Sequence, residues 1–261
     1  MADFWRKYQK LRLKKYRRMW RLFLVEGVRL CEEALNSGWE IEAAYLTHQF
    51  LTQPRAEVFQ KMLQNRGIKA LEVDSDIFER LSQTETPQGI LLIMKMPRLD
   101  LESILQGNGK RLVLVLDAIS DPGNMGTLIR TADWFGADAV ISSSQSVDLY
   151  NPKVVRASMG SIFHLDCIEE ESIQKTLGLL KKTGFRILST SAKQGQPLSE
   201  VQIQPPVALI LGSEAHGLPQ ELKNAADMTL HIPKFGQAES LNVTVAGGIL
   251  LNRLAEIIFR G

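Results

Sequence analysis

Six short, continuously apolar runs in the carboxy-terminal part of the sequence constrain its fold most strongly. They read LVLVLD, AVI, IFHLD, FRILST, VALILG and MTLHIP. Because apolar and polar residues do not alternate along them, the runs are typical of parallel strands that are covered on both faces. Helices are predicted between and after them at 127–135, 152–159, 172–183, 219–225 and 243–259. We therefore expect an α/β domain built on a parallel sheet.

The preceding residues contain shorter elements that predict a small α/β domain over residues 1–97. Helical spacing is seen at 28–35, 54–66 and 74–81, and strand-like runs read IEAAYLT, KALEV and QGILLIMKM. The polar stretch 98–111 contains two glycines near its end and is predicted to be a linker. The parallel-sheet domain is then expected over 112–261. Its last helix carries an apolar stripe that predicts packing on the sheet or on a partner.

Several classes of protein are disfavoured by what the sequence lacks. The two cysteines have no CxxC spacing and the four histidines have no metal-ligand spacing, so no metal site is expected. No apolar run approaches the roughly 20 residues of a membrane span, and no secretory signal opens the sequence. We expect a cytoplasmic protein without a metal and without a membrane partner.

The segment RKYQKLRLKKYRRMWR, residues 6–21, has nine basic residues and no acidic one, with aromatic residues interleaved. Cations neutralise phosphates and aromatic faces stack on bases, so this pattern favours nucleic-acid binding. Candidate contact residues are Arg12, Lys14, Lys15, Arg17, Arg18 and Arg156. An alternative is an amphipathic helix whose aromatic residues pack on its own domain. A mitochondrial transit peptide is a third interpretation, disfavoured because the stretch contains no serine.

Three common enzyme signatures fail. GSEAHGLP has the glycine spacing of a phosphate-binding loop but lacks its Lys and Ser/Thr. RASMGS lacks the first glycine of a nucleophile elbow, and no GxGxxG follows a predicted strand. Nucleotide-phosphate and serine-hydrolase chemistry are therefore disfavoured.

Three polar clusters remain at predicted strand ends, where open α/β sheets bind ligands. They are DPGNMGTLIR, LGSEAHGLP and IPKFGQAESLNVTVAGG. The candidate catalytic residues within them are Asn124, Arg130, Glu214, Ser240 and Asn242. Each cluster taken alone also fits a simpler interpretation, with Asn124 and Ser240 as helix caps and the charged residues at the surface.

Together, DPGNMGTLIRTA, LILGSEAHGLP and IPKFGQAESLNVTVAGGILL resemble the three signature motifs of the SpoU (TrmH-like) branch of the SPOUT RNA methyltransferases. NPKVVRASMGSIF is similar to a further segment of that family. YRRMWRLFLVEGVRLCEEAL and TPQGILLI resemble an L30e-like substrate-binding domain. The departures are Ala215, where glycine is frequent, and Gly247–Gly248 in place of alanines.

The resemblance implies a carboxy-terminal deep trefoil knot and S-adenosyl-L-methionine as cofactor. Cofactor contacts would come from backbone groups at Thr190, Leu211, Gly212, Ile232 and Leu241. Because this cofactor has no pyrophosphate, a glycine-rich phosphate cradle is not needed.

The same resemblance implies methylation of a ribose 2′-hydroxyl by a homodimer, with ribosomal RNA as the expected substrate. Arg130 would engage the hydroxyl and the adjoining phosphate. Asn124 and Glu214 would orient Arg130 and the loops, while Ser240 and Asn242 would hold the reacting ribose. The alternatives are a catalytically silent RNA-binding or ribosome-assembly factor, a transfer-RNA ribose methyltransferase, and a base methyltransferase.

Overall fold

The structure is a computed structural model that describes residues 4–106, 112–213 and 216–260. The chain divides into two compact units. The first contains the described residues up to Arg98 together with Tyr150–Phe163. The second contains Leu99–Leu149 and the described residues from His164 onwards.

Strands and helices are numbered in chain order. The strands are β1 (Leu22–Glu26), β2 (Ile41–Thr47), β3 (Ala70–Val73), β4 (Ile90–Lys95), β5 (Leu112–Leu116), β6 (Ala139–Ser143), β7 (Asp166–Glu170), β8 (Arg186–Thr190), β9 (Gln196–Pro197), β10 (Val207–Leu211) and β11 (Met228–His231). The α-helices are α1 (Phe4–Gln9), α2 (Lys14–Trp20), α3 (Val28–Asn36), α4 (His48–Leu51), α5 (Ala56–Asn65), α6 (Ser75–Leu81), α7 (Leu101–Gln106), α8 (Pro122–Trp134), α9 (Pro152–Ala157), α10 (Ile173–Lys182), α11 (Gln220–Ala225) and α12 (Val243–Arg260).

The first unit is built on a four-stranded sheet in the order β1-β4-β2-β3. Strands β1 and β2 are antiparallel to β4, and β3 is parallel to β2. All five residues of β1 are buried. The sequence did not predict β1, because its apolar run continues into the helical spacing of α3 and offers no separate boundary signal.

The basic amino-terminal segment directs much of its aromatic surface inward. Tyr8 and Phe23 are buried, and Trp5 and Trp20 pack against the core cluster that contains Tyr8. For these four residues the structure supports the second interpretation of the segment, in which its aromatic residues pack on their own domain. Aromatic character in a charged helix does not by itself mark a base-stacking surface.

Arg17 also lies inside the first unit. Its side chain is buried, and Nη1 donates hydrogen bonds to the carbonyl oxygens of Leu11 at 2.7 Å and Arg12 at 2.9 Å. The prediction that Arg17 contacts nucleic acid is withdrawn, because its guanidinium is occupied by the backbone and is not available at the surface.

Helix α9 packs on the first unit, although the sequence places it between two strands of the second. The rings of Tyr150 and Phe163 lie 4.9 Å and 6.4 Å from that of Phe23. At Gly160, with φ +102°, an added Cβ would lie 2.7 Å from Glu33 Cγ. The turn after α9 is thus held closely against α3.

The second unit contains the predicted parallel sheet. Its seven strands are all parallel, in the order β7-β6-β5-β10-β8-β11-β9. Strand β10 is inserted between β5 and β8, and β11 between β8 and β9. The residues of β5, β6 and β10 are all buried, which explains why their sequences are continuously apolar or small.

Two predictions within this region are wrong, and one short strand was missed. Residues 101–106 of the predicted linker form α7, and Leu101, Ile104 and Leu105 join the core of the second unit; residues 107–111 lie outside the described part of the chain. IFHLD is not a strand, because Ser161–Phe163 is a 3-10 turn and β7 begins at Asp166. The two-residue strand β9 was not predicted at all.

Among the described residues, no helix has the length and apolarity needed to cross a membrane. Within the same residues, no group of three or more His, Cys, Asp or Glu side chains is placed to hold a metal ion. Cys31 and Cys167 are free and buried, and burial raises the pKa of both thiols. They act as small apolar core residues.

Candidate active site

Four neighbouring strands of the second unit end at one edge of the sheet. Leu211, the last residue of β10, pairs with Leu116 of β5, and Thr190 of β8 pairs with Leu230 of β11. The backbone N–H of Asp117 donates to Leu211 O at 2.9 Å, which ties the ends of β5 and β10 together. Two residues expected to contact a cofactor, Thr190 and Leu211, thus lie at the edge where parallel sheets bind ligands.

A tight loop lies against Gly212, immediately after β10. A Cβ on Gly212 would lie 2.4 Å from the backbone carbon of Gly217, so only glycine fits at this position. The loop is closed by a hydrogen bond from Gly217 N to Ser213 O at 2.8 Å. Glu214, the predicted orienting acid, lies outside the described residues.

The loop between β11 and α12 carries the remaining predicted cofactor residues. Ile232 follows β11 directly and is partly exposed, which places it at the same sheet edge. Leu241 lies at the far end of the loop and is 48% exposed. Ser240 beside it is also exposed. Ser240 and Leu241 therefore belong to a surface loop, whereas Ile232 lies at a strand end.

Helix α8 begins earlier than the sequence predicted, at Pro122 and not at 127. Its N-cap is Asp121, whose Oδ1 accepts a hydrogen bond from Asn124 N at 2.7 Å. The prediction of Asn124 as N-cap is therefore wrong: proline is favoured in the first turn of a helix, and Asp121 before it is the better cap. Asn124 lies inside the first turn of α8.

Helix α12 is capped by Asn242 and not by Ser240. Asn242 Oδ1 accepts from Thr244 N at 2.8 Å and from Thr244 Oγ1 at 2.6 Å. The carbonyl of Asn242 accepts from Ala246 N at 3.0 Å, the first hydrogen bond of the helix. Ser240 lies two residues upstream, where its hydroxyl does not serve as the cap.

The first and third polar clusters meet at these two helix starts. Asn242 Nδ2 donates to Asn124 Oδ1 at 3.4 Å, across 118 positions of sequence. Farther along, a Cβ on Gly247 would lie 2.7 Å from Leu128 Cδ2. Gly247, which stands where the SpoU family usually has alanine, therefore permits close contact of α12 with α8.

Arg130 lies on the exposed face of α8. Within residues 4–106, 112–213 and 216–260, no hydrogen bond or ion pair to its guanidinium is present. Its five N–H donors are therefore available to a ligand. The structure does not place Arg130 in hydrogen-bond contact with Asn124, Ser240 or Asn242.

Asp117 is a residue at this edge that the sequence analysis did not single out. It follows β5 and is buried; burial raises the pKa of its carboxyl, partly opposed by a hydrogen bond with Ser143. The same Ser143 hydroxyl accepts from Ala118 N at 2.9 Å and supports the positive φ of 55° there. The signal was present, since the apolar run LVLVLD ends in this acid.

The predicted nucleic-acid contacts lie in the first unit. Arg12 is exposed, and Nη2 donates to Arg80 O at 2.7 Å and Ser82 O at 3.1 Å. Lys15 and Arg18 are exposed on α2 and Lys14 is partly exposed. Arg156 is half-buried, and its Nη1 has no hydrogen-bond partner in the described part of the chain. This set offers cations at the surface, with Arg17 removed from it.

Two family models match the chain. The SpoU rRNA Methylase family model matches residues 111–252, and the model of the MRM3-like substrate binding domain matches residues 5–92. The first contains all three polar clusters, and the second contains the basic amino-terminal segment.

Similar proteins extend over nearly the whole chain. The 23S rRNA (guanosine(2553)-2′-O)-methyltransferase RlmP of Bacillus subtilis (strain 168) is 35% identical, with 95% of this chain and 94% of the relative covered. The AdoMet-bound rRNA methyltransferase from Sinorhizobium meliloti has a TM-score of 0.85 at 29% identity, with coverage of 97% and 94%. The SpoU methyltransferase AviRb from Streptomyces viridochromogenes, in complex with AdoMet, has a TM-score of 0.85 at 26% identity and 98% coverage of each chain.

Proposed function

Because the chain belongs to the SpoU rRNA methylase family, we propose that it transfers a methyl group from S-adenosyl-L-methionine to a ribose 2′-hydroxyl of ribosomal RNA. The observation that carries this proposal is the contact between Asn242 and Asn124, which joins the first and third motifs. The contact holds the starts of α8 and α12 together. The exposed Arg130 lies on α8, in the same unit.

The strand-end edge fits such a cofactor. Gly212 follows β10 at this edge, and the backbone of Gly217 occupies the space that a Cβ would need, so a side-chain-free residue brings two backbone segments together there. Thr190, Leu211, Gly212, Ile232 and Leu241 would hold the cofactor through backbone groups and apolar contacts. When bound, S-adenosyl-L-methionine supplies a methyl group on a sulfonium.

Arg130 engages the 2′-hydroxyl and the neighbouring phosphate of the RNA. A guanidinium holds its protons tightly and is a poor base, so the main effect of Arg130 is to orient the nucleophile and stabilise the developing alkoxide. Orientation of reacting groups supplies several kcal/mol, up to about 7–11 in ideal cases. Asn124 and Asn242 position the two helix starts, and Ser240 contacts the ribose; Glu214 completes the predicted set.

The substrate follows from the relatives and from the first unit. RlmP is named for a guanosine of 23S rRNA, so large-subunit ribosomal RNA is the first substrate to test. The first unit acts as the RNA-binding domain and the second as the catalytic domain, with RNA contacts from Arg12, Lys14, Lys15, Arg18 and Arg156. We also propose a cytoplasmic location, and the proposed ribosomal RNA substrate is the reason for it.

A homodimer is part of the proposal. Val245, Ile249 and Phe259 are 40–50% exposed along α12, and Trp134 at the end of α8 is 83% exposed. A cleft of about 540 Å³ lies between the carboxyl ends of these two helices. Exposed apolar surface of this kind marks an interface. Sedimentation should give a dimer, and a fully active monomer would contradict it.

The carboxy-terminal segments are proposed to form the deep trefoil knot of the family. Support comes from the insertion of β11 between β8 and β9, which precede it in sequence. A Cβ on Gly195 would lie 2.4 Å from Thr229 O, so the segment before β9 passes directly against β11. Such close passage is what a threaded chain requires.

The experiment is transfer of tritiated methyl from S-adenosyl-L-methionine to ribosomal RNA, followed by nuclease digestion. The expected product is a ribose-methylated nucleoside from 23S rRNA. A methylated base, or no transfer by folded protein that binds the cofactor, would reject the proposal.

A further inference from the structure

A cleft of about 800 Å³ lies in the first unit, at the sheet edge where β1 begins and β4 ends. Its walls include Trp20, Trp39 and the backbone around Pro97. Ligand clefts in proteins range from about 300 to 1,000 Å³, so this volume accommodates one nucleotide. We call it the Trp20–Trp39 cleft.

The two indole rings of the cleft are held by neighbouring side chains. Trp20 lies 5.0 Å from the ring of Tyr16, and Trp39 meets Phe23 and Phe163 edge-on at 6.2 Å and 5.3 Å. Both tryptophans are only partly buried, so part of each ring lines the cleft. Aromatic rings fixed in this way stack on flat ligands with little loss of side-chain entropy.

The acidic side chains of the cleft are already engaged. Glu40 Oε2 lies 2.8 Å from Lys95 Nζ, and this hydrogen bond lowers the pKa of Glu40 and raises that of Lys95. Glu42 accepts a hydrogen bond from Tyr8, whose pKa is raised mainly by burial and then by this carboxylate. Glu40 also attracts Arg98, so this acid offsets part of the charge of that cation.

Three further cations line the cleft. Lys7, Arg21 and Arg98 are all exposed. Lys7 Nζ lies 5.5 Å from the centroid of the Trp20 ring, so a cation and an aromatic face are presented together. Arg21 Nη2 donates to Pro97 O at 2.7 Å, which fixes the side chain and leaves its other N–H groups for an anion.

We propose that the Trp20–Trp39 cleft binds one unpaired nucleotide of the RNA substrate, with the base against the indoles and the phosphate held by Lys7, Arg21 and Arg98. The nucleotide is unpaired because base pairing and stacking in a duplex hide the base faces that the indoles contact. This proposal rests on the proposed function, since it identifies the polymer as the RNA to be methylated. None of these residues belongs to the contact set predicted from the sequence.

The first test measures RNA binding by the full-length protein. The probes are a labelled oligoadenylate of about a dozen nucleotides and an RNA duplex of equal length. The double variant Lys7→Glu/Arg98→Glu is expected to bind the single strand about tenfold more weakly and to reduce the salt slope by about 0.7, the contribution of the one phosphate held in the cleft. Lys61→Glu/Lys69→Glu, which reverses two exposed charges outside the cleft, is the matched control.

Equal single-strand affinity in the cleft variant and the control would overturn the proposal, as would an equal loss of duplex affinity. Stacking is read separately by quenching of tryptophan fluorescence with the same oligoadenylate. Trp20→Phe and Trp39→Phe should each reduce the quenching, whereas Trp5→Phe, at a residue that packs on the core of the first unit and does not line the cleft, should not. Undiminished quenching in both cleft variants would also overturn it.

Methyl transfer separates this proposal from the proposed function. The Lys7→Glu/Arg98→Glu variant should raise KM for ribosomal RNA about tenfold. If no methyl transfer is seen with any variant while cleft-dependent oligonucleotide binding persists, the proposed function fails and the cleft stands. If methylation proceeds and the cleft variant keeps its KM and its oligonucleotide affinity, the cleft proposal fails alone.

Discussion

The basic amino-terminal segment and the carboxyl edge of the parallel sheet use arginine in opposite ways. Arg17 is buried and donates to two backbone carbonyls, whereas Arg130 is exposed and has no hydrogen bond or ion pair within the described residues. A guanidinium whose donors are satisfied by the chain stabilises the fold. One that the fold leaves unsatisfied at the surface is available to a ligand. Position in the fold, and not local charge density, separates the two roles.

The largest expected effect is on activity at Arg130. Arg130→Ala should lower kcat by about 10²–10³-fold, the range for loss of one donor to a developing oxyanion. Because its side chain is exposed, the unfolding temperature and cofactor affinity should stay near those of the wild type. Methyl transfer and calorimetry measure these, with Arg186→Ala at the opposite end of the sheet as control. Near-normal turnover of Arg130→Ala would show that Arg130 does not act on a ligand, and the contrast with Arg17 would be lost.

The next effect is on stability at Arg17. Arg17→Met keeps much of the apolar stem but leaves the Leu11 and Arg12 carbonyls without their donor. The free energy of unfolding should fall by about 2–3 kcal/mol, as for lost hydrogen bonds from a charged group. Arg18→Met, at the exposed neighbouring position, should change it by less than about 0.5 kcal/mol. Urea titration compares the two, and equal effects would contradict a structural role for Arg17.

A smaller effect is expected at Gly212. Gly212→Ala places a Cβ against the Gly217 backbone, and overpacking of this kind destabilises by about 1–3 kcal/mol. Much of this should appear as weaker binding of S-adenosyl-L-methionine in calorimetry, because the loop must move. Gly178→Ala in α10 meets no atom within 4 Å and should instead stabilise, by about 0.5–1 kcal/mol. Unchanged cofactor affinity in Gly212→Ala would remove Gly212 from the site.

The smallest effect concerns pH dependence at Asp227. Burial raises its pKa, but hydrogen bonds from Ile187 N at 2.7 Å and Lys181 Nζ outweigh burial, so the folded-state pKa is lowered. The resulting stability is present above the ordinary carboxyl pKa of about 4 and is lost as pH falls through the folded value. The stability advantage over Asp227→Asn should therefore shrink from about pH 6 to about pH 3. An advantage that stays constant, or a similar trend for exposed Glu239→Gln, would refute this.

The sequence predicted the parallel sheet because buried strands impose continuous apolar runs. The family resemblance, and not the strand pattern, implied Thr190, Leu211 and Gly212 as cofactor contacts; Thr190 and Leu211 end strands β8 and β10, and the role of all three stays a prediction. The sequence did not locate the helix caps, because Asp121 and Asn242 compete locally with Asn124 and Ser240, which have similar cap propensities. Nor did it separate Arg17 from Arg18, because adjacent residues of a short helix differ only in the face that the tertiary structure covers.

The assignment of Tyr150–Phe163 to the first unit bears on how chimeric proteins can be built. A fusion cut near residue 98 would join a foreign amino-terminal part to a helix shaped for the original one. The replaced part would have to accommodate Gly160, whose fit against Glu33 leaves no room for even a methyl group. Fragment exchange in this protein therefore requires two segments to be transplanted together.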